Sequence, residues 1–278
     1  VISFILLTLL NISGVRLFNS LNLTMSLVSG GGFLPSDNLK EIISKNLQKF
    51  ILIFSLILSM INFYFLFNMF SKKKLFKSHN EDFYLLGLSS VLILLIYFNN
   101  FDGFDTIIGV LSSMANSGIT LIEDDNNLSL YFLFITIIGG SLISNTSGIK
   151  LSRLYILLKI TSAEIIKLIS PNSIINKTIF SSDKKITDDN IKVSFLIFIS
   201  FFISLFILSS LLVIDDIGFE RSFKLSILAL TNTVNSEMYN LENLNFSSLL
   251  ISSKIALIIF MIIAKIELIS IFLIFKKI

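Results

Sequence analysis

The sequence predicts an all-α integral membrane protein of the pore-loop type, built from repeats of helix, re-entrant pore helix and helix. Three observations lead there: apolar runs long enough to cross a bilayer, a weaker short segment between successive runs, and basic and acidic loops that separate to opposite sides. Of 278 residues, 54% are hydrophobic and 15% charged, with mean hydropathy +0.86. An average soluble domain carries about 25% charged residues, and a water-soluble fold has nowhere to place so much apolar surface.

Along the chain, Ile2 to Asn11 reads as the tail of a helix cut short by the chain start, without the basic flank or small-residue cleavage site of a signal peptide. The spanning runs are Phe50 to Phe70, Phe83 to Phe98, Leu128 to Ile143, Val193 to Ile214 and Leu249 to Phe275. Each is expected to be a helix, because hydrocarbon offers no partner to an unpaired backbone group. Between them lie Val15 to Val28, Phe101 to Asn116 and Ile217 to Asn232, too short or too polar to span, each followed by a turn-prone patch.

The order recurs three times, which sets the architecture before any single motif does. Repeats are expected at 1–70, 80–178 and 190–278, with cytoplasmic loops at 71–79 and 159–192. Charge tests the orientation independently. Lys72, Lys73, Lys74 and Lys77 fall in one connection, Lys150, Arg153, Lys159, Lys167, Lys177, Lys184, Lys185 and Lys192 in or beside the next, and Lys276 and Lys277 end the chain. Asp37, Glu41, Glu123, Asp124, Asp125, Asp215, Asp216, Glu237 and Glu242 fall on the other side. The two sets separate only if the short segments enter and leave by the outer face.

The net charge of +3 is too small, and its residues too dispersed, for a nucleic-acid partner. Without cysteine there is neither a disulfide nor a thiolate metal site. His79, the one histidine, reads as a solvated loop residue. No carboxylate pair, Ser/His/Asp set or phosphate loop stands in a context for catalysis, and no cofactor is expected.

The polar patches are Ser29-Gly30-Gly31-Gly32-Phe33, Asn116-Ser117-Gly118-Ile119 and Thr233-Val234-Asn235-Ser236. A filter of backbone carbonyls replaces an ion's hydration shell and needs backbone that glycine, and next asparagine, adopts without strain. Each patch follows a short helix whose C-terminal dipole favours a cation. The run Gly139-Gly140-Ser141-Leu142-Ile143-Ser144-Asn145-Thr146-Ser147-Gly148 interrupts an apolar helix ahead of Lys150 and Arg153, and reads as a movable gate beneath the filter. Lys265 and Glu267 sit in the last apolar run, where a charge needs a partner or water. Either they pair, Glu267 with Arg153 or Lys265 with an acceptor in the loop, or Arg153 and Lys265 form a positive barrier below the filter.

These residues resemble the membrane subunit of bacterial Trk/Ktr potassium uptake systems over nearly the whole chain. Ser29 to Phe33 looks like the second-repeat filter, Asn116 to Ile119 like the third, Gly139 to Arg153 like the intramembrane loop, and Ala264-Lys265-Ile266-Glu267 like a Gly-Arg-Leu-Glu element of the last helix. The resemblance implies four repeats, of which three are present, and so a fragment lacking the first. It implies one filter glycine per repeat, here Gly32 and Gly118, with Asn235, or Val234 if the register slips by one, in the fourth-repeat place. It also implies bound potassium as transported ion, a homodimer, a cytosolic nucleotide-binding regulatory subunit docking near Lys150 to Lys192, and the inner membrane of a bacterium. The alternatives are a sodium-selective or poorly selective relative, a non-conducting degenerate one, and a broken-helix transporter of another solute.

Overall fold

Serines at 194, 204 and 209 among leucine, isoleucine and phenylalanine give a long apolar helix two unlike faces. The helix Asp188–Val213 buries Ser194, Ile197, Phe201, Ser204, Leu205, Leu208, Ser209 and Leu212. It turns Phe195, Leu196, Ile203, Phe206 and Ile207 outward. The inner serines return their hydroxyls to their own helix, Ser194 Oγ to Asn190 O at 2.7 Å and Ser209 Oγ to Phe206 O at 3.1 Å. Small side chains on the inner face let neighbouring backbones approach, and large apolar ones outside suit lipid. Thr187 starts the helix by accepting a hydrogen bond from Asn190 N–H at 3.3 Å.

The computed structural model describes residues 2–35, 39–70, 79–98, 103–122, 126–171, 178–180, 185–233, 237–241 and 249–265. In order come α1 (Ile2–Ile12), α2 (Leu17–Ser29), α3 (Leu39–Ile42), α4 (Asn46–Met60), α5 (Phe63–Phe70), α6 (Asn80–Tyr97), α7 (Gly103–Met114) and α8 (Asn126–Ile137). Then follow β1 (Ile138–Gly139), β2 (Ile149–Lys150), α9 (Leu151–Ile169), α10 (Asp188–Val213), α11 (Phe219–Leu230), a 3-10 turn (Glu237–Tyr239) and α12 (Ile251–Lys265). The fold is all-α with pore-loop repeats.

In each repeat one helix packs against both of its neighbours: α2 against α1 and α4, α7 against α6 and α8, α11 against α10 and α12. Of the three, α7 and α11 are the most deeply buried. From Ile108 to Met114 every residue of α7 is buried, and from Lys224 to Leu230 every residue of α11. Lys224 meets Glu220 one turn earlier at 2.8 Å, and Lys49 on α4 meets Asp105 on α7 at 2.7 Å.

Among the described residues, α6 and α10 are long and apolar enough to cross a bilayer uninterrupted. Two spans expected as continuous are broken. Phe50 to Phe70 divides at Ile61-Asn62 into α4 and α5, because the backbone groups freed there find distant partners: Asn62 N–H donates to Asp82 Oδ1 at 3.0 Å and Phe63 N–H to Ile143 O at 3.0 Å. Leu128 to Ile143 ends as helix at Ile137, where β1 begins. The stretch 159–192, expected as a loop, starts as helix, since α9 runs on to Ile169. Lys167 there pairs with Glu164 at 3.6 Å.

Candidate functional site: three helix ends and an intramembrane loop

The three short helices end in the same way. Gly31 N–H donates to Ser26 O at 2.8 Å, Ser117 N–H to Ser112 O at 3.0 Å and Thr233 N–H to Leu228 O at 2.9 Å. The residue before each is left-handed: Gly30 at φ 67°, Asn116 at 58° and Asn232 at 54°. This is the wide closing bond of a helix C-terminus with a left-handed cap. It aligns Gly30, Asn116 and Asn232, then Gly31, Ser117 and Thr233, and therefore puts position 234 in register with Gly32 and Gly118. Val234 and Asn235 lie outside the described residues, but the count from Thr233 favours Val234 over Asn235 as the third member of the set.

Gly32 and Gly118 are themselves left-handed, at φ 71° and 66°. At Gly32 space adds to conformation, since a Cβ there would collide with the carbonyl of Ser117. The first two patches are therefore in backbone contact. Hydroxyls brace the next turns back: Ser112 Oγ lies 2.9 Å from Ser117 Oγ, and Thr231 Oγ1 lies 3.0 Å from Thr233 Oγ1. Behind the Asn116 patch, Ser113 Oγ donates to Met238 Sδ at 3.6 Å, and Tyr239 is fully buried.

The run from Gly139 to Gly148 leaves the helix and returns. Ile138 pairs with Ile149 and Gly139 with Lys150 in a parallel two-residue ladder. A Cβ on Gly139 would collide with Ser147 O, so the ladder closes only with glycine there. Lys150, 6% exposed, folds back inside the loop, its Nζ 2.5 Å from Thr146 O and 3.3 Å from Ser144 O. Thr146 Oγ1 accepts from Gly140 N–H at 2.7 Å, and Ser144 Oγ donates to Ser141 O at 2.8 Å. The ammonium thus satisfies carbonyls that an open loop leaves unpaired.

The tip of the loop reaches the first patch. Asn145 Nδ2 donates to Val28 O, and Asn145 O lies 3.5 Å from where a Gly30 Cβ would stand. Lys265 joins the two, donating to Asn145 O at 2.8 Å and Ser29 O at 3.3 Å. The bond expected between Lys265 and a loop acceptor is thus formed. Ser144, Asn145, Thr146, Ser147, Lys150 and Lys265 line a cavity of about 240 Å³. Arg153 lines a smaller space of about 30 Å³ with Gly148, Lys150 and Phe201. Glu267, like Lys72, Lys73, Lys74 and Lys77, lies outside the described residues.

His79 corrects the sequence reading. It is 5% exposed, with Nδ1 3.4 Å from Asp82 Oδ2 and Nε2 2.8 Å from Asn68 Nδ2. Its ring meets Phe65 edge-on at 5.2 Å. A solvated loop was expected because the partners lie on two helices whose meeting local sequence does not announce. Glu81 and Asp82, not singled out from the sequence, accept from Leu142 N–H of the loop and from Asn62 N–H at the break beside it. The available signal was a pair of adjacent carboxylates at the start of an apolar run.

No protein-family profile matches the sequence. Over 168 residues, 59% of this chain and 35% of the other, it is 27% identical to an uncharacterized cation transporter of Methanocaldococcus jannaschii. The crystal structure of the potassium transporter TrkH from Vibrio parahaemolyticus superposes with TM-score 0.87 at 17% identity, covering 98% of this chain and 61% of that one. The chain thus spans about a third of the length of the curated relative and under two thirds of the solved chain. It has the fold of the potassium transporter TrkH, in keeping with the Trk/Ktr resemblance of its polar patches and loop.

Proposed function

We propose that this chain lines a path by which potassium crosses the cytoplasmic membrane down its electrochemical gradient. The observation that carries the reading is the shared closure of α2, α7 and α11. Each ends in a left-handed turn that hands over to backbone able to present carbonyls, and two of the three patches touch at Gly32 and Ser117. Carbonyls so placed stand in for water around a dehydrated cation, and three helix C-termini add negative potential. Potassium is cargo here, with Ser29 to Gly32, Asn116 to Gly118 and Thr233 to Asn235 as the surrounding segments.

In this reading the Gly139 to Gly148 loop is the gate, and Lys265 with Lys150 holds it shut. The basic loops face the cytoplasm. Assembly as a homodimer with a cytosolic nucleotide-binding regulator belongs to the same reading and rests on the resemblance. One observation favours a second reading, a sodium-passing or weakly selective path: valine, not glycine, stands in register at position 234.

The test is growth of a potassium-uptake-deficient bacterium at limiting potassium, expressing the complete protein that contains this chain, beside a Gly118→Arg variant. Rescue by the former and loss with the latter are expected. Absence of rescue with both present in the membrane would remove the potassium reading, and sodium uptake in the same cells would then support the second.

A further inference from the structure

The first turn of α6 carries two adjacent carboxylates, and neither spends itself on its own helix. Glu81 accepts a hydrogen bond from Leu142 N–H at 2.9 Å. Leu142 lies just inside the start of the loop. One side chain therefore ties the first turn of α6 to the start of the excursion.

Asp82, 1% exposed, works one step further away. Its Oδ1 accepts from Asn62 N–H at 3.0 Å, at the break between α4 and α5, and the Ser141 hydroxyl of the loop donates to Met60 O of the same break at 3.3 Å. His79 and Asn68 extend this contact onto α5. The break and the loop also bond directly: Ser141 N–H donates to Met60 O at 3.0 Å, and Phe63 N–H to Ile143 O at 3.0 Å. Two interruptions from different repeats are thus closed on one another, and a carboxylate acceptor binds such freed N–H groups more strongly than a neutral one does.

We propose that Glu81 and Asp82 are positioning residues of the intramembrane loop: Glu81 clasps its start to α6, and Asp82 clasps the α4–α5 break, to which the loop is itself bonded, to the same turn of α6, so that break and loop move as one. The inference rests on the reading of this loop as a gate. Its consequence is that a displacement of α5 reaches the loop through the α6 carboxylates without touching the filter.

These 278 residues contain no cysteine, so a Leu142→Cys variant of the complete protein, with any cysteine outside them replaced by serine, carries a single thiol at a position 43% exposed and lining the loop cavity. Its reaction with a membrane-impermeant thiol reagent is timed in proteoliposomes made with or without Glu81→Leu, Glu81→Gln or Asp82→Leu, with melting temperature read on the same samples. Glu81→Leu and Asp82→Leu are expected to speed labelling on the order of tenfold, the effect of losing one charge-assisted hydrogen bond. Glu81→Gln, whose amide oxygen still accepts from Leu142 N–H, is expected to stay within about twofold of the parent.

Where Glu81→Leu does not reach the membrane, Glu81→Asp carries the test, because the shorter side chain falls short of Leu142 N–H and labelling accelerates. Unchanged labelling in folded Leu variants, or equal acceleration by Gln and Leu, overturns the proposal. Cation flux from the same vesicles separates the two readings. Faster labelling without flux in the parent keeps the clasp and removes the transport function, whereas potassium flux with invariant labelling removes the clasp alone.

Discussion

Asn116 and Asn232 hold the same place in successive repeats, and each donates its side-chain amide to the helix that completes its repeat: Asn116 Nδ2 to Thr136 O at 2.8 Å, Asn232 Nδ2 to Met261 O at 3.0 Å. At the equivalent Gly30 there is no such side chain, and the amide comes from outside, from Asn145 of the loop to Val28 O. Asparagine both tolerates the left-handed backbone and ties the patch to the next helix, whereas position 30 leaves the tie to the loop. Asn232 Nδ2 also reaches the loop, 3.4 Å from Ser147 Oγ, but the first patch is the one whose side-chain amide the loop itself supplies.

Replacing Asn116 separates those two roles. Asn116→Gly loses only the bond to Thr136 and is expected to cost about 1 kcal/mol. Asn116→Ala adds a left-handed penalty of about 1–2 kcal/mol and should be the less stable of the two. Unfolding in detergent at matched protein concentration checks this, and an alanine variant as stable as the glycine one would show that the turn relaxes away from φ 58°.

The register through Asn232 and Thr233 yields a prediction about position 234. A β-branched residue resists the left-handed backbone that Gly32 and Gly118 adopt in the equivalent places. Val234→Gly is expected to raise the ratio of potassium to sodium uptake on the order of tenfold, or about 1.4 kcal/mol of discrimination. Parallel flux of the two ions into proteoliposomes measures it. An unchanged ratio would assign selectivity to the other patches.

Legibility followed locality. The short helices α2, α7 and α11 could be read from the sequence because their ends carry glycine or asparagine within a few residues of the last apolar position, a purely local requirement. Lys265 could be read because a charge in an apolar run needs a partner somewhere, although nothing local named Asn145 and Ser29. The break at Ile61-Asn62 could not: it contains neither glycine nor proline, and it exists because Asp82 supplies an acceptor from another repeat. His79 failed for the same reason. The loop was visible in its glycines, yet its parallel closure was not, because that depends on Lys150 turning inward onto Thr146.

Gly32→Ala tests whether the first two patches must touch. The new methyl would meet Ser117 O while the backbone stays left-handed, and both strains fall on one short segment. Potassium flux is expected to drop by at least about tenfold, a change of about 1.4 kcal/mol in barrier, with little change in membrane expression, since the residue carries no helix. Flux near the parent level would mean that the segment shifts without consequence for the ion.

Lys265→Met removes an ammonium without shortening the side chain much, and leaves Asn145 O and Ser29 O without their shared donor. One link between the loop tip and the first patch is cut, while Asn145 Nδ2 to Val28 O remains. If that link holds the loop closed, flux rises several-fold in Lys265→Met and stays near the parent level in Lys265→Arg, whose guanidinium can donate to both carbonyls. Combining Lys265→Met with Asn145→Ala should then exceed neither single change by the full sum, because both act on one contact. The opposite sign is equally informative. Lower flux in Lys265→Met would mean that the ammonium steadies the end of α2, and through Ser29 the carbonyls that follow it, with the loop left to Lys150 and Glu81.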